Sequence, residues 1–260
     1  MKQLEKESQK VLHQELKNIK KWEKGQRGSQ IWHFFKSLPF KFLDKITPKI
    51  VHDKLGALID EIVIFIQNGG EYLVKEKNVL KLLHVSSIEE IEKLPLKEMD
   101  QAAEKCRKQA KNIAFTQGAT TGVGGLFTLT IDIPAVLFQS LKVLQEMALC
   151  YGFDPKEKEE RIFIMKCLQF ASSDVIGKKA ILDELEKNKH KQLVSQVQGW
   201  REVVASYTES FSLKKIFQMV PIAGILFGAF SNKLILEDIS EVGMMFYKKR
   251  RILLKIEEVK

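Results

Sequence analysis

Residues 2–24 alternate apolar and basic positions at helical spacing. At 100° per residue, Leu4, Val11, Leu12, Leu16, Ile19 and Trp22 fall within an arc of about 140°, and Lys2, Lys6, Lys10, Lys17, Lys20, Lys21 and Lys24 within about 100° opposite. Glu15 interrupts the apolar arc. GQRGSQ, residues 25–30, breaks this helix, and the aromatic stretch IWHFFKSLPFKFL follows as a core candidate. Thr47 before Pro48 opens a helix to about Gln67, where NGG ends it. Apolar spacing over 71–84, a capping box formed by Ser87 and Glu90, and residues 96–116 after Pro95 predict three more helices.

The centre of the chain changes character. From Asn112 to Ile131 there is no ionisable group, and GATTGVGGLFTLTIDIP, residues 118–134, concentrates glycine and threonine. Asp132 caps a new helix with Pro134 in its first turn, and the helix runs from about Ile133 to Tyr151, where Gly152 stops it. On that helix Asp132, Ala135, Gln139, Lys142, Glu146 and Cys150 share an arc of about 80°, a polar stripe on an otherwise apolar surface. Asp154-Pro155 starts the next helix with Glu157 as its capping partner. A second uncharged run, IFQMVPIAGILFGAFSN at residues 216–232, carries a small-residue ridge at Val220, Gly224, Gly228 and Asn232 that lets a neighbouring helix approach closely. Both uncharged runs approach the length of a bilayer core, so bilayer insertion and burial in a protein interior stay open for them.

These elements predict an all-α fold: a single helical domain (30–260) with two apolar, glycine-containing segments packed centrally, preceded by a basic amphipathic helix and linker (1–29). Composition agrees, because Leu, Ile, Lys and Glu dominate while glycine and proline cluster at a few places. The formal net charge of +9 points to an acidic partner surface. Arginine occurs only at 27, 107, 161, 201, 250 and 251, and no zinc-finger or RNP-like spacing is present, which argues against nucleic acid. Cys106, Cys150 and Cys167 form no CxxC pair and read as reduced thiols in the cytoplasm, and the N-terminus lacks an apolar signal core.

Candidate chemistry is sparse. A Walker loop needs GxxxxGK, but Gly125 is followed by Leu126 and Phe127. A dinucleotide fingerprint would need a small residue at Phe127. Histidines 13, 33, 52, 84 and 190 are isolated, and Ser172, Ser173 and Asp174 in ASSDV lack a nucleophile elbow. No cofactor and no metal is expected, and no catalytic residue is assigned. Asp132 and Glu146 are the carboxylates in the most suggestive setting.

The motifs GATTGVGGLFTLTIDIPAVL, LKVLQEMALCYGFDP and VPIAGILFGAFSN, ahead of the basic FYKKRRIL, resemble the EcsC protein family of bacteria over roughly residues 30–255. The family takes its name from an operon in which it accompanies an ABC transporter, and its own activity is not established, so the resemblance supplies no catalytic residue. The candidate polar site comprises Asp132, Gln139, Lys142, Gln145, Glu146, Asn232 and Arg251, with Glu146 expected to pair with Lys142 or a distant arginine such as Arg251. Packing glycines are Gly122, Gly124, Gly125, Gly224 and Gly228. Membrane-surface candidates are Lys6, Lys10, Lys17, Lys20, Trp22, Lys24, Lys248, Lys249 and Arg250. The leading expectation is a non-enzymatic, membrane-associated accessory protein on the cytoplasmic face of the cell membrane. It would serve as a transporter partner or lipid-binding module, with anionic lipid as its surface. The alternative is a soluble helical enzyme or ligand-binding protein whose polar stripe lines a cleft.

Overall fold

The structure, a computed structural model, describes residues 9–26, 65, 74–121, 133–173, 175–187 and 232–258. Eight helices occur among them: α1 (Gln9–Gly25), α2 (Glu76–Leu83), α3 (Ile88–Glu92), α4 (Leu96–Thr121), α5 (Ile133–Cys150), α6 (Lys158–Ser172), α7 (Val175–Lys187) and α8 (Asn232–Glu257). There is no strand among the described residues, and the chain is all-α. The helix expected over 47–67, the aromatic stretch 31–43, residues 2–8 and the glycine ridge of 216–231 lie outside the described residues, apart from Phe65, which is helical and buried.

Helix α8 is the axis of the described fold and packs against α1, α4, α5 and α6. Its buried residues, Leu236, Ile239, Val242, Phe246, Tyr247, Arg251, Ile252 and Ile256, occupy every side of the helix rather than one stripe. A helix covered all round needs neighbours all round. Consecutive helices α4 and α5 form an antiparallel pair beside it, and Gly243 of α8 lets α5 come close: a Cβ there would lie 2.7 Å from Leu144 Cδ2. Around Phe246 and Tyr247 the aromatic rings of Phe153, Phe163, Phe170 and Trp22 gather with centroids 4.8 to 6.4 Å apart.

Local stop signals act as expected at Gly152 and less so elsewhere. Gly152 adopts a left-handed φ of 74°, its N–H donates to Leu149 O, and the N–H of Phe153 donates to Ala148 O, closing the end of α5. The capping box expected at α3 does not form: Ser87 stands at the N-cap without a side-chain cap, and Glu90 accepts from the Ser86 N–H, one residue before the N-cap. Asp154 does not begin α6 directly. Its carboxylate accepts from the Lys156 N–H in a turn, and the helix starts at Lys158 after Glu157.

Candidate functional site

Helix α1 uses its apolar face inside the fold. Leu12 and Ile19 are buried, and Trp22 lies between Phe170 and Phe246 while its Nε1–H donates to Glu241 at 2.8 Å. Trp22 therefore does not sit at a lipid interface, because packing and a hydrogen bond already occupy both its ring and its polar tip. Val11, expected on the apolar arc, is half-exposed. The helix contains two acidic residues, Glu15 and Glu23, and both turn inward: Glu15 meets Lys248 at 2.7 Å and Glu23 meets Lys249 at 2.7 Å. Lys10, Lys17, Lys20, Lys21 and Lys24 remain exposed. Lysine is thus the charged side chain that the outer face of α1 presents, with no carboxylate among its described exposed residues; Lys6 lies outside the described residues.

The basic run Lys248-Lys249-Arg250-Arg251 is not a surface patch. Four successive residues on a helix point about 100° apart, so each finds a different neighbour. Lys248 bridges Glu15 and Asp100 at 2.7 and 2.8 Å, and Asp100 also accepts from the Tyr151 hydroxyl at 2.7 Å. Burial opposes the Lys248 charge, but the hydrogen bonds it donates to Asp100 and Glu15 outweigh it and hold the ammonium pKa above its ordinary value. Arg250 lies 4.2 Å from the rings of both Phe153 and Phe163 and takes Glu160 through both terminal nitrogens. Arg251, 2% exposed, donates to the carbonyls of Tyr151 and Gly152 at 2.7 and 2.9 Å and to Glu92 at 3.2 Å. These contacts correct two expectations. Lys248, Lys249 and Arg250 are spent inside the fold and are not free for lipid, and Arg251 serves the end of α5 rather than Glu146.

The polar stripe of α5 is present but loosely tied. Gln139, Lys142 and Glu146 are all half-buried, and the Lys142 Nζ stands 3.9 Å from Glu146 Oε1, at the limit of an ion pair. Burial raises the Glu146 carboxyl pKa above its ordinary value, and Lys142 offsets only part of that. Gln145 is buried, and its Oε1 accepts no hydrogen bond among the described residues. Asn232 opens α8, while Asp132, Gly122, Gly124, Gly125, Gly224 and Gly228 lie outside the described residues. The structure therefore groups Gln139, Lys142, Gln145 and Glu146 along one helix and separates Arg251 from them.

Several residues that organise this region were not singled out from the sequence: Glu23, Glu92, Asp100, Glu160 and Gly243. One signal was available, since Glu15 inside an apolar arc requires a cation to be brought to it. Among the described residues no helix is long and apolar enough to cross a membrane.

Comparison with known proteins identifies the relatives. The chain is 52% identical to the "Uncharacterized protein YdbA" of Bacillus subtilis (strain 168) over 258 residues, 95% of each chain. It is 25% identical to the "Protein EcsC" of the same organism over 225 residues, covering 86% of this chain and 88% of the relative. No solved structure gives a significant match. The EcsC protein family model matches residues 13–252, nearly the whole span that carries the α1 pairing, the α5 stripe and the basic run, and the chain belongs to that family.

Proposed function

We propose that this protein is a non-enzymatic accessory protein of the cytoplasmic membrane face that docks peripherally on anionic lipid through the outer face of α1. One observation carries this reading: both carboxylates of α1 are turned inward and neutralised by α8, which leaves Lys10, Lys17, Lys20, Lys21 and Lys24 as a cationic stripe with no ion-pair partner among the described residues. The stripe extends from Lys10 to Lys24, about 21 Å along the helix, a length that spans several headgroups. Because Leu12, Ile19 and Trp22 are committed to the core, α1 contributes charge and not apolar insertion. The family resemblance, through its operon setting, adds a transporter as the neighbour such a protein would serve.

Co-sedimentation with vesicles tests the reading. Binding is expected to phosphatidylglycerol-containing vesicles at low salt, with loss at high salt and no binding to neutral vesicles. Changing Lys17, Lys20, Lys21 and Lys24 to Gln is expected to weaken binding by roughly five-fold per lysine. Equal binding to neutral vesicles, or an unchanged affinity in the four-fold variant, would sink the proposal.

A second reading, a ligand-binding protein, has one observation in its favour. The Gln145 oxygen is buried without a hydrogen-bond partner among the described residues, beside the half-buried Lys142 and Glu146, where a polar ligand could complete it. Gln145→Leu discriminates. A variant with wild-type or higher stability that fails to complement a deletion strain supports this reading, and full complementation removes it.

A further inference from the structure

The thiols of Cys106 and Cys150 face each other with their sulfurs 3.8 Å apart, one on α4 and the other at the last residue of α5. Both are buried, as is the third cysteine, Cys167, on α6. The meeting is held from both sides. Immediately after Cys150, Arg251 grips the carbonyls of Tyr151 and Gly152, and the Tyr151 hydroxyl binds Asp100, which lies on α4 nearly two turns before Cys106. The two sulfurs thus sit at the base of the α4–α5 pair. The intervening chain contains the uncharged run with its glycines at 118, 122, 124 and 125.

We infer that Cys106 and Cys150 form an oxidisable dithiol, a site at which a two-electron thiol oxidant fastens α4 to the end of α5 through a disulfide. A diazene oxidant such as diamide gives a balanced route. One thiolate adds to the N=N bond, and the second attacks the sulfur so captured, expelling the hydrazine. One S–S bond forms while two electrons and two protons pass to the oxidant. The second step is favoured by proximity, since its nucleophile is already in contact. The first step is slow in the closed fold, because the neighbouring thiol and burial push the Cys150 pKa well above its ordinary value. The pair therefore rests reduced and responds to sustained oxidation, and the disulfide fastens the last residue of α5 to α4.

The test uses the full chain. After diamide treatment of the folded protein, residual thiols are alkylated in denaturant and the peptides mapped. Two of the three cysteines are expected to escape alkylation and to appear as one linked pair containing Cys106 and Cys150, with Cys167 alkylated and the link reversed by dithiothreitol. The oxidised protein is expected to melt several degrees higher, because a long loop is closed. A Cys167→Ser variant is expected to behave identically, which keeps the test independent of variants at the pair itself. Three alkylated cysteines after an exposure that oxidises the unfolded chain, or a link that includes Cys167, would overturn the inference.

Discussion

Arg250 holds Glu160 by a two-pronged ion pair, Nη1 to Oε2 at 2.7 Å and Nη2 to Oε1 at 2.6 Å, with α8 supplying the fork and α6 the carboxylate. Both side chains are largely buried, at 18% and 10% exposure. The guanidinium faces the rings of Phe153 and Phe163, so little solvent remains to receive its charge if the carboxylate goes. Glu160→Gln is expected to destabilise by about 3 to 5 kcal/mol in chemical denaturation, as removal of one partner strands a buried charge. The double variant Glu160→Leu with Arg250→Met should recover most of that loss, because neither charge then needs solvation. Equal destabilisation in the single and double variants would show that packing, and not the unpaired charge, sets the cost.

Glu146 gives a pH dependence with a definite sign. Its folded pKa lies above the ordinary 4.5 because burial disfavours the carboxylate, so the folded state holds the proton more tightly than the unfolded chain. Its contribution to stability is therefore complete below about 4.5 and is lost as pH rises through the raised folded value. Glu146→Gln should match wild type in acid and be at least as stable near neutrality. The expected pair with Lys142 is present, but at 3.9 Å it offsets only part of the cost of burial. Urea titrations of the two proteins at pH 4 and pH 7 decide it: a variant less stable than wild type at pH 7 would show that the pair outweighs burial.

Arg251 and Gly152 form one device at the end of α5. The glycine takes a left-handed φ of 74°, and a Cβ there would lie 2.9 Å from Arg251 Nη2 and 3.2 Å from the Glu92 backbone nitrogen. Gly152→Ala should cost about 1 to 3 kcal/mol through backbone strain and crowding. Arg251→Lys should cost about 2 to 4 kcal/mol, because a single ammonium cannot serve two carbonyls and Glu92 in the guanidinium's geometry. Thermal unfolding of both variants provides the measurement, and an unchanged Tm for either one would disprove its role.

Gly243 governs the approach of α8 to α5. Its missing side chain leaves room for Leu144 and Met147, whose atoms would lie 2.7 and 3.1 Å from an added Cβ. Gly243→Ala should be tolerated with a modest loss, because the Leu144 methyl can yield, whereas Gly243→Leu should destabilise by at least about 1 to 3 kcal/mol. Equal midpoints for the two variants in denaturant would show that the helices separate freely there.

Much of the helical architecture was legible because its signals are local. The 3.6-residue period exposed the two faces of α1, Pro95 marked the approach to α4, and Gly152 announced the end of α5, each through conformational preferences acting within a turn or two. Where several local solutions compete, the reading slipped. Asp154 could cap a helix or close a turn, and the structure shows it closing the turn, with α6 starting only at Lys158.

The use of the charges could not be read in the same way. FYKKRRIL looks like a basic surface cluster, and only the tertiary arrangement assigns Lys248 to Glu15, Arg250 to Glu160 and Arg251 to Glu92, partners 90 to 233 residues away in the chain. Periodicity says which side of a helix is apolar but carries no information about which distant carboxylate will face it. Local pattern alone dictates that the chain folds as helices and that α1 separates lysine from leucine. Tertiary packing decided that both carboxylates of α1 and the four successive cations Lys248 to Arg251 of α8 would be paired within the fold, because burying an ion requires a partner at hydrogen-bonding distance and only the assembled helices bring those partners together.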